Sequence, residues 1–130
     1  MSTVVDASVL VAARVDSGRE GSWARIAIAQ TPLAAPELAV AEATNILRRM
    51  ELSGSISRIE ATAAQRALLR LNLKLCRFAP FADRVWELRA NLTVYDAWYV
   101  ALAEAFGWRL VTLDRRLSRA PGLRCEVIVP

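Results

Sequence analysis

The 130 residues carry 55% hydrophobic and 23% charged side chains, a balance that excludes a disordered chain and suits one folded domain over residues 1–130. The net charge of +4 comes almost wholly from arginine, Lys74 being the only lysine, and it favours a polyanionic partner without requiring one. There is no histidine, which excludes histidine triads, histidine general bases and most zinc sites, so any hydrolysis must use carboxylates, metals or hydroxyls.

Thr3 to Val5 reads as a short apolar strand ending at Asp6, and Ala7 to Ala13 as a helical turn or short helix. Asp16 and Ser17 are placed to cap the next helix, roughly Arg19 to Gln30, where Trp23, Ile26 and Ala27 fall at helical spacing. Pro32 to Pro36 is a short buried strand bounded by prolines, although Pro36 also suits a first helical position. The helix after it runs to about Leu52 and stops at Ser53-Gly54. Ser57-Arg58-Ile59-Glu60 is a capping box that opens a helix to about Leu71. Leu73 to Phe78 alternates as a strand does. Phe81 to Asn91 is helical, and Thr93-Val94-Tyr95-Asp96 opens another helix that ends at Phe106-Gly107. Arg109 to Leu113 is a strand followed directly by Asp114. Pro121-Gly122 turns the chain into a last strand, Arg124 to Val129.

Strands alternating with helices imply an α/β fold, a parallel sheet covered on both faces. In such sheets the ligand site lies beyond the carboxyl ends of the strands, where Asp6 and Asp114 both fall. No apolar run reaches the roughly 18 residues of a membrane helix, and Met1 leads into an apolar strand without the basic region of a signal peptide. Cys76 and Cys125 share no motif and read as free thiols in a reducing, cytoplasmic compartment.

Four acids have both a structural and a chemical reading. Asp6 can cap the turn it precedes, and Asp114 a short helix through Leu117. Asp96 completes a Thr93-x-x-Asp96 capping pattern, on a helix apolar nearly all round. Glu42 lies within a helix, flanked four residues either side by Leu38 and Ile46, where capping does not apply. A carboxylate buried there needs a cation, either an arginine or a metal. Taken together, two acids at strand ends and two on apolar helices suit a hard divalent cation with oxygen ligands, which can activate water against a phosphodiester. Ser8 and Thr112 lie two residues from Asp6 and Asp114, where their hydroxyls can orient a carboxylate or simply bond the backbone.

Four segments carry a family resemblance. Val4-Val5-Asp6-Ala7-Ser8-Val9-Leu10 resembles the opening of PIN domains. Pro36-Glu37-Leu38 through Glu42 to Asn45-Ile46-Leu47-Arg48-Arg49 resembles their second motif. Tyr95-Asp96-Ala97-x-Tyr99-x-Ala101-Leu102-Ala103-Glu104 is similar to the third, and Leu110-Val111-Thr112-Leu113-Asp114-Arg115-Arg116-Leu117 to the fourth. Order and spacing fit as well, and within PIN domains the chain is most similar to VapC-type toxins of toxin–antitoxin pairs.

The resemblance implies a three-layer α/β/α fold with a mainly parallel sheet of about five strands. It also implies an endoribonuclease dependent on Mg2+ or Mn2+, in which Asp6, Glu42, Asp96 and Asp114 are the catalytic acids. Asp6, Asp96 and Asp114 would hold the metal directly, with Glu42 acting through water or positioning the nucleophile. A homodimer is implied too, together with a cognate VapB-type antitoxin that forms a hetero-oligomer with it. Arg14, Arg48, Arg115, Arg116 and Arg119 lie near the acid-bearing segments and are candidates for RNA phosphate contacts, each with a solvated surface role as the alternative. Trp98 and Tyr95 are candidates for base stacking, with core packing as the preferred reading. The rivals are a DNA nuclease using a similar acid cluster, and a binding module whose acids only cap helices. A haloacid-dehalogenase-type phosphatase needs a second acid where Ser8 stands.

Overall fold

The computed structural model describes residues 2–30 and 32–130. Five short strands, β1 (Thr3–Val5), β2 (Leu33–Pro36), β3 (Leu73–Cys76), β4 (Arg109–Val111) and β5 (Val127–Ile128), form one sheet in the order β3-β2-β1-β4-β5. Every neighbouring pair is parallel. Central β1 is buried throughout, as a strand covered on both faces must be, and so reads as an unbroken apolar run.

The helices are α1 (Ala7–Val15), α2 (Arg19–Ile28), α3 (Ala39–Leu52), α4 (Arg58–Leu69), α5 (Ala82–Glu87) and α6 (Val94–Phe106). The chain lays down β1, β2 and β3 in one direction, then crosses back to β4 and β5 on the other side of β1. Parallel crossovers are right-handed, so this reversal puts the two groups of helices on opposite faces. Accordingly α1 packs with α2, α3 and α4, while α6 packs with α5 and lies on β1, β2 and β4. The expected α/β sandwich with a five-stranded parallel sheet is the fold that forms. Its reversal of strand order leaves a switch point between β1 and β4, the position where open α/β sheets bind ligands.

Several boundaries differ from expectation for local physical reasons. Neither Asp16 nor Ser17 caps α2. Gly18 is its N-cap residue, and Asp16 Oδ1 instead accepts the Gly18 N–H at 2.7 Å, closing the turn before the helix. Pro36 stays in the strand, because the Glu37 N–H continues the sheet ladder to the Cys76 carbonyl at 2.8 Å, and α3 starts only at Ala39. Phe78 leaves the strand for a 3-10 turn over Ala79–Phe81 that contains Pro80, a residue with no N–H to give a ladder. The helix expected to reach Asn91 ends at Glu87. The last strand shortens to Val127–Ile128. The Ser57–Glu60 capping box forms with both of its bonds. Cys76 is buried and Cys125 half-buried, both as free thiols. Among the described residues no helix is long and apolar enough to cross a membrane.

A half-buried ionic hub ties the α5–α6 layer to the segment entering β5. The Glu104 carboxylate accepts Arg84 Nε at 2.7 Å, Arg84 Nη2 at 3.1 Å and the Arg124 N–H at 2.6 Å. Arg84 Nη2 also donates to the Gly122 carbonyl at 2.8 Å. Burial alone would raise the Glu104 carboxyl, but the bonds from Arg84 and Arg124 outweigh it and hold the group below its ordinary value.

Candidate active site at the carboxyl ends of β1 and β4

Asp6 leaves β1 at the switch point, its N–H donating to the Val111 carbonyl of β4 at 3.0 Å. It occupies the N-cap position of α1, yet its side chain makes no capping bond. Asp6 Oδ2 instead accepts the Ser8 and Thr112 hydroxyls, each at 2.8 Å. Those hydroxyls are aimed in turn by main-chain donors: Leu113 N–H to Ser8 Oγ at 3.3 Å, and Asp114 N–H to Thr112 Oγ1 at 3.1 Å. Thr112 is fully buried, and a buried hydroxyl must be satisfied in this way. The main chain leaving β4 therefore orients two hydroxyls, and these orient the carboxylate leaving β1.

Asp96 lies in the first turn of α6. Thr93 Oγ1 accepts the Asp96 N–H at 3.2 Å, but the reciprocal bond of a capping box is not made. Capping thus uses Thr93 and the Asp96 main chain, not the Asp96 carboxylate. One turn further on, the Tyr99 hydroxyl donates to Glu42 Oε1 at 3.0 Å. Tyr99 is 2% exposed, so its hydroxyl has little access to water, and it holds α3 and α6 in register.

Glu42 requires a correction. Because α3 begins at Ala39, Glu42 falls in its first turn and not mid-helix, where its charge also suits the helix dipole. Leu38, taken as an apolar neighbour, is 43% exposed. The arginine partner left open for Glu42 does not exist among the described residues, whose ion pairs are Arg84–Glu87, Arg84–Glu104 and Arg116–Asp114. A half-buried carboxylate whose side-chain donor is a neutral phenol remains short of a cation.

Asp114 does not cap the short helix expected through Leu117: that helix is a 3-10 turn over Leu117–Arg119 whose N-cap is Arg116, with no side-chain cap bond, and Asp114 instead closes the turn before it. Its Oδ1 accepts the Arg116 N–H at 2.9 Å, and its carboxylate pairs with the Arg116 guanidinium at 3.3 Å. The Arg116 side chain is 90% exposed, so this pair can open at little cost. Asp96, Asp114 and Arg116 line a cleft of about 470 Å3 with Asn91 and Thr93. Arg14, Arg48, Arg115 and Arg119 are all exposed. Of the two aromatics, Trp98 is buried, edge-on to Phe78 at 5.2 Å. Tyr95 departs from the preferred core reading and is 57% exposed beside Asp96.

Residues 3–123 match the PIN domain family. The chain belongs to the PIN-domain family. Ribonuclease VapC1 of Mycobacterium tuberculosis is 42% identical over 125 residues, 95% of this chain and 94% of that one. PAE2754 from Pyrobaculum aerophilum superimposes with a TM-score of 0.73 at 26% identity, covering 98% of this chain and 83% of that one. The fold is also that of a chain in a toxin–antitoxin complex from Klebsiella pneumoniae, with a TM-score of 0.65 at 20% identity and coverage of 98% and 97%. With such relatives the chain is a PIN domain of the VapC type.

The four acids of this PIN domain share one electrostatic field. Burial raises the Asp96 carboxyl, and the charges of Asp6 and Asp114 raise it further. Burial also raises Glu42, assisted by the charges of Asp6 and Asp96, against the lowering bond from Tyr99. Asp114 is lowered, first by its bond from Arg116. As the side chains stand, no group of three or more acidic or cysteine side chains among the described residues is set to hold an ion. Asp6 is turned toward its two hydroxyls and Asp114 toward Arg116. The donor chemistry nevertheless fits a hard cation: the four acids offer only oxygens, they repel one another, and the one arginine among them is exposed and free to leave.

A pH dependence follows. Glu42 and Asp96 have folded-state values above their ordinary 4.5 and 3.8, so the folded chain holds more protons than the unfolded one just above those values. Stability in EDTA therefore falls as pH rises through that window. Asp114, Glu60 and Glu104, lowered from 3.8, 4.5 and 4.5, act in the opposite sense, but their contribution is lost only as pH falls below those values. Thermal unfolding in EDTA should show a melting temperature that declines as pH rises above about 4.5, and a smaller decline in Asp6→Asn. A melting temperature that climbs across that range in the parent contradicts the reading.

The hydroxyl of Tyr99 was not anticipated as part of the site. The available signal was its spacing from Asp96, one turn along the same helix. Tyr99→Phe should cost about 1–2 kcal/mol of stability. By loosening Glu42 it should also weaken Mn2+ binding roughly tenfold, as loss of a group supporting a ligand does. Manganese titration followed by thermal unfolding measures both effects.

Proposed function

We propose that this chain is a metal-dependent endoribonuclease, the toxin of a toxin–antitoxin pair, which hydrolyses RNA phosphodiester bonds and is held inactive by a VapB-type antitoxin. The observation that carries the reading is the gathering of the acids by charge, Asp6 with Glu42 and Asp96, and Asp96 with Asp114, where the one arginine present, Arg116, is exposed. Support comes from a 42% identical relative named as a ribonuclease and from the same fold in a toxin–antitoxin complex.

Asp6, Asp96 and Asp114 would hold Mg2+ or Mn2+. When bound, the ion supplies a water made more acidic and a positive charge against the anionic transition state. The remaining work falls to the chain's own groups. Ser8 and Thr112 fix the orientation of Asp6, and Tyr99 fixes that of Glu42. Glu42 positions the attacking water or joins the ion at longer reach. Arg116, once off Asp114, can meet a substrate phosphate, leaving the Asp114 carboxylate to the ion. The exposed Leu38, Val94 and Tyr95, next to the acids along α3 and α6, offer an antitoxin or a second copy in a homodimer an apolar surface to cover.

The test is incubation of the purified chain with total RNA, with and without manganese, and mapping of the new ends. Discrete cleavage that needs the metal and disappears in Asp6→Asn is expected. Equal cutting by parent and variant, or cutting of DNA alone, contradicts the proposal.

A further inference from the structure

The catalytic acids can engage one phosphate, so the neighbouring nucleotides need another seat. This inference rests on the ribonuclease reading. Trp23, Arg19 and Glu20 of α2 face Arg115 and Pro130 across a cleft of about 430 Å3, within the ~300–1,000 Å3 typical of ligand sites. Arg115 lines this cleft, while its sequence neighbours Asp114 and Arg116 line the catalytic one. A strand of nucleotides passing over residues 114–116 therefore meets both.

Both walls are anchored. Arg25 Nη1 donates to the Asp16 carbonyl at 2.9 Å and Nη2 to Ser22 Oγ at 3.2 Å, clamping α2 to the end of α1. Gly21 lies so close to the Asp16 carbonyl that no Cβ would fit, which lets α2 approach. On the other side Arg115 Nη2 donates to the Pro130 main-chain oxygen at 2.6 Å. Trp23 is half-buried, packing partly on the core, and so presents a rigid aromatic surface between two exposed arginines. Glu20 in the lining disfavours a bare anion, but a neutral base with an amino group suits it.

We propose that this cleft seats one nucleobase of single-stranded RNA, stacked on Trp23, with the flanking phosphates on Arg19 and Arg115. Stacking on an aromatic side chain contributes enough that its loss weakens binding about tenfold or more.

The experiment measures binding of a fluorescein-labelled single-stranded RNA of mixed sequence to the Asp6→Asn chain in EDTA, where cleavage does not interfere. Adding Trp23→Ala should weaken binding about tenfold, and Trp23→Phe should retain most of it. Arg19→Ala and Arg115→Ala should each reduce the salt dependence of binding by about one phosphate contact, which a purely structural role would not do. These exposed arginines keep the test sound should Trp23→Ala prove poorly folded. Binding by the Asp6→Asn chain with unchanged affinity in Trp23→Ala, or unchanged salt slopes in both arginine variants, overturns the inference alone. No RNA binding by the Asp6→Asn chain overturns the ribonuclease reading with it.

Discussion

Asp6→Asn is expected to lose at least ~100-fold in RNA cleavage while melting at a higher temperature than the parent in EDTA. The loss follows from the position of Asp6 at the head of the cluster. Changes to groups that merely support a metal ligand already cost ~10- to 100-fold, so loss of a charged ligand should cost at least the upper figure. The gain in stability comes from the same place. Asp6 is a like-charge neighbour that raises Glu42, Asp96 and Tyr99. An asparagine removes that repulsion while keeping an oxygen for the Ser8 and Thr112 hydroxyls. A side chain whose loss stabilises the fold and removes activity is held there for chemistry; a helix cap would predict neither effect, because asparagine caps about as well as aspartate. A lower melting temperature in EDTA, or retained cleavage, contradicts this account.

Glu104→Ala is expected to destabilise the chain by about 2 kcal/mol, the order of cost when donors in a half-buried network lose their charged acceptor. The Glu104 side chain is only 9% exposed and accepts three bonds. Its loss leaves the Arg84 guanidinium, itself 20% exposed, and the Arg124 N–H without their acceptor. Denaturant unfolding should show the drop in midpoint, and a change under 1 kcal/mol would mean that water replaces the carboxylate at low cost. Because the hub ties α5 and α6 to the segment entering β5, away from the four acids, the residual folded fraction should bind manganese as the parent does.

The positions of the candidate acids were legible in the chain because they stand where local structure is simple to read. Asp6 and Asp114 follow apolar runs that have to be strands, and a parallel sheet gathers strand ends at one edge. The features that local sequence does not carry depend on contacts between distant segments. The start of α3, and with it the first-turn position of Glu42, is decided by the bond from Glu37 to Cys76 on the neighbouring strand, which no local pattern in residues 36–42 carries. The tyrosine at position 99 lay in plain view, but its partner in α3 is known only once α6 is seen to cross β1 and β2. Likewise Arg116 was one of five candidate phosphate ligands, and the pairing that singles it out depends on the turn after β4. The last strand is shorter than its sequence suggests for a related reason. Propensity in residues 124–126 favours strand, but Arg84 takes the Gly122 carbonyl and Glu104 the Arg124 N–H into their own hydrogen bonds.

The central claim, that four carboxylates constitute one cation site, is tested most directly by the manganese-induced shift in melting temperature. The measurement compares the parent with Asp6→Asn, Glu42→Gln, Asp96→Asn and Asp114→Asn, and it needs no knowledge of the substrate. A ligand that binds only the folded chain adds roughly 2.7 kcal/mol at a hundred times its dissociation constant, so the parent should show a clear upward shift with added Mn2+. Each variant should lose most of that shift. A parent indifferent to manganese, or a shift that survives unchanged in all four variants, would contradict the account.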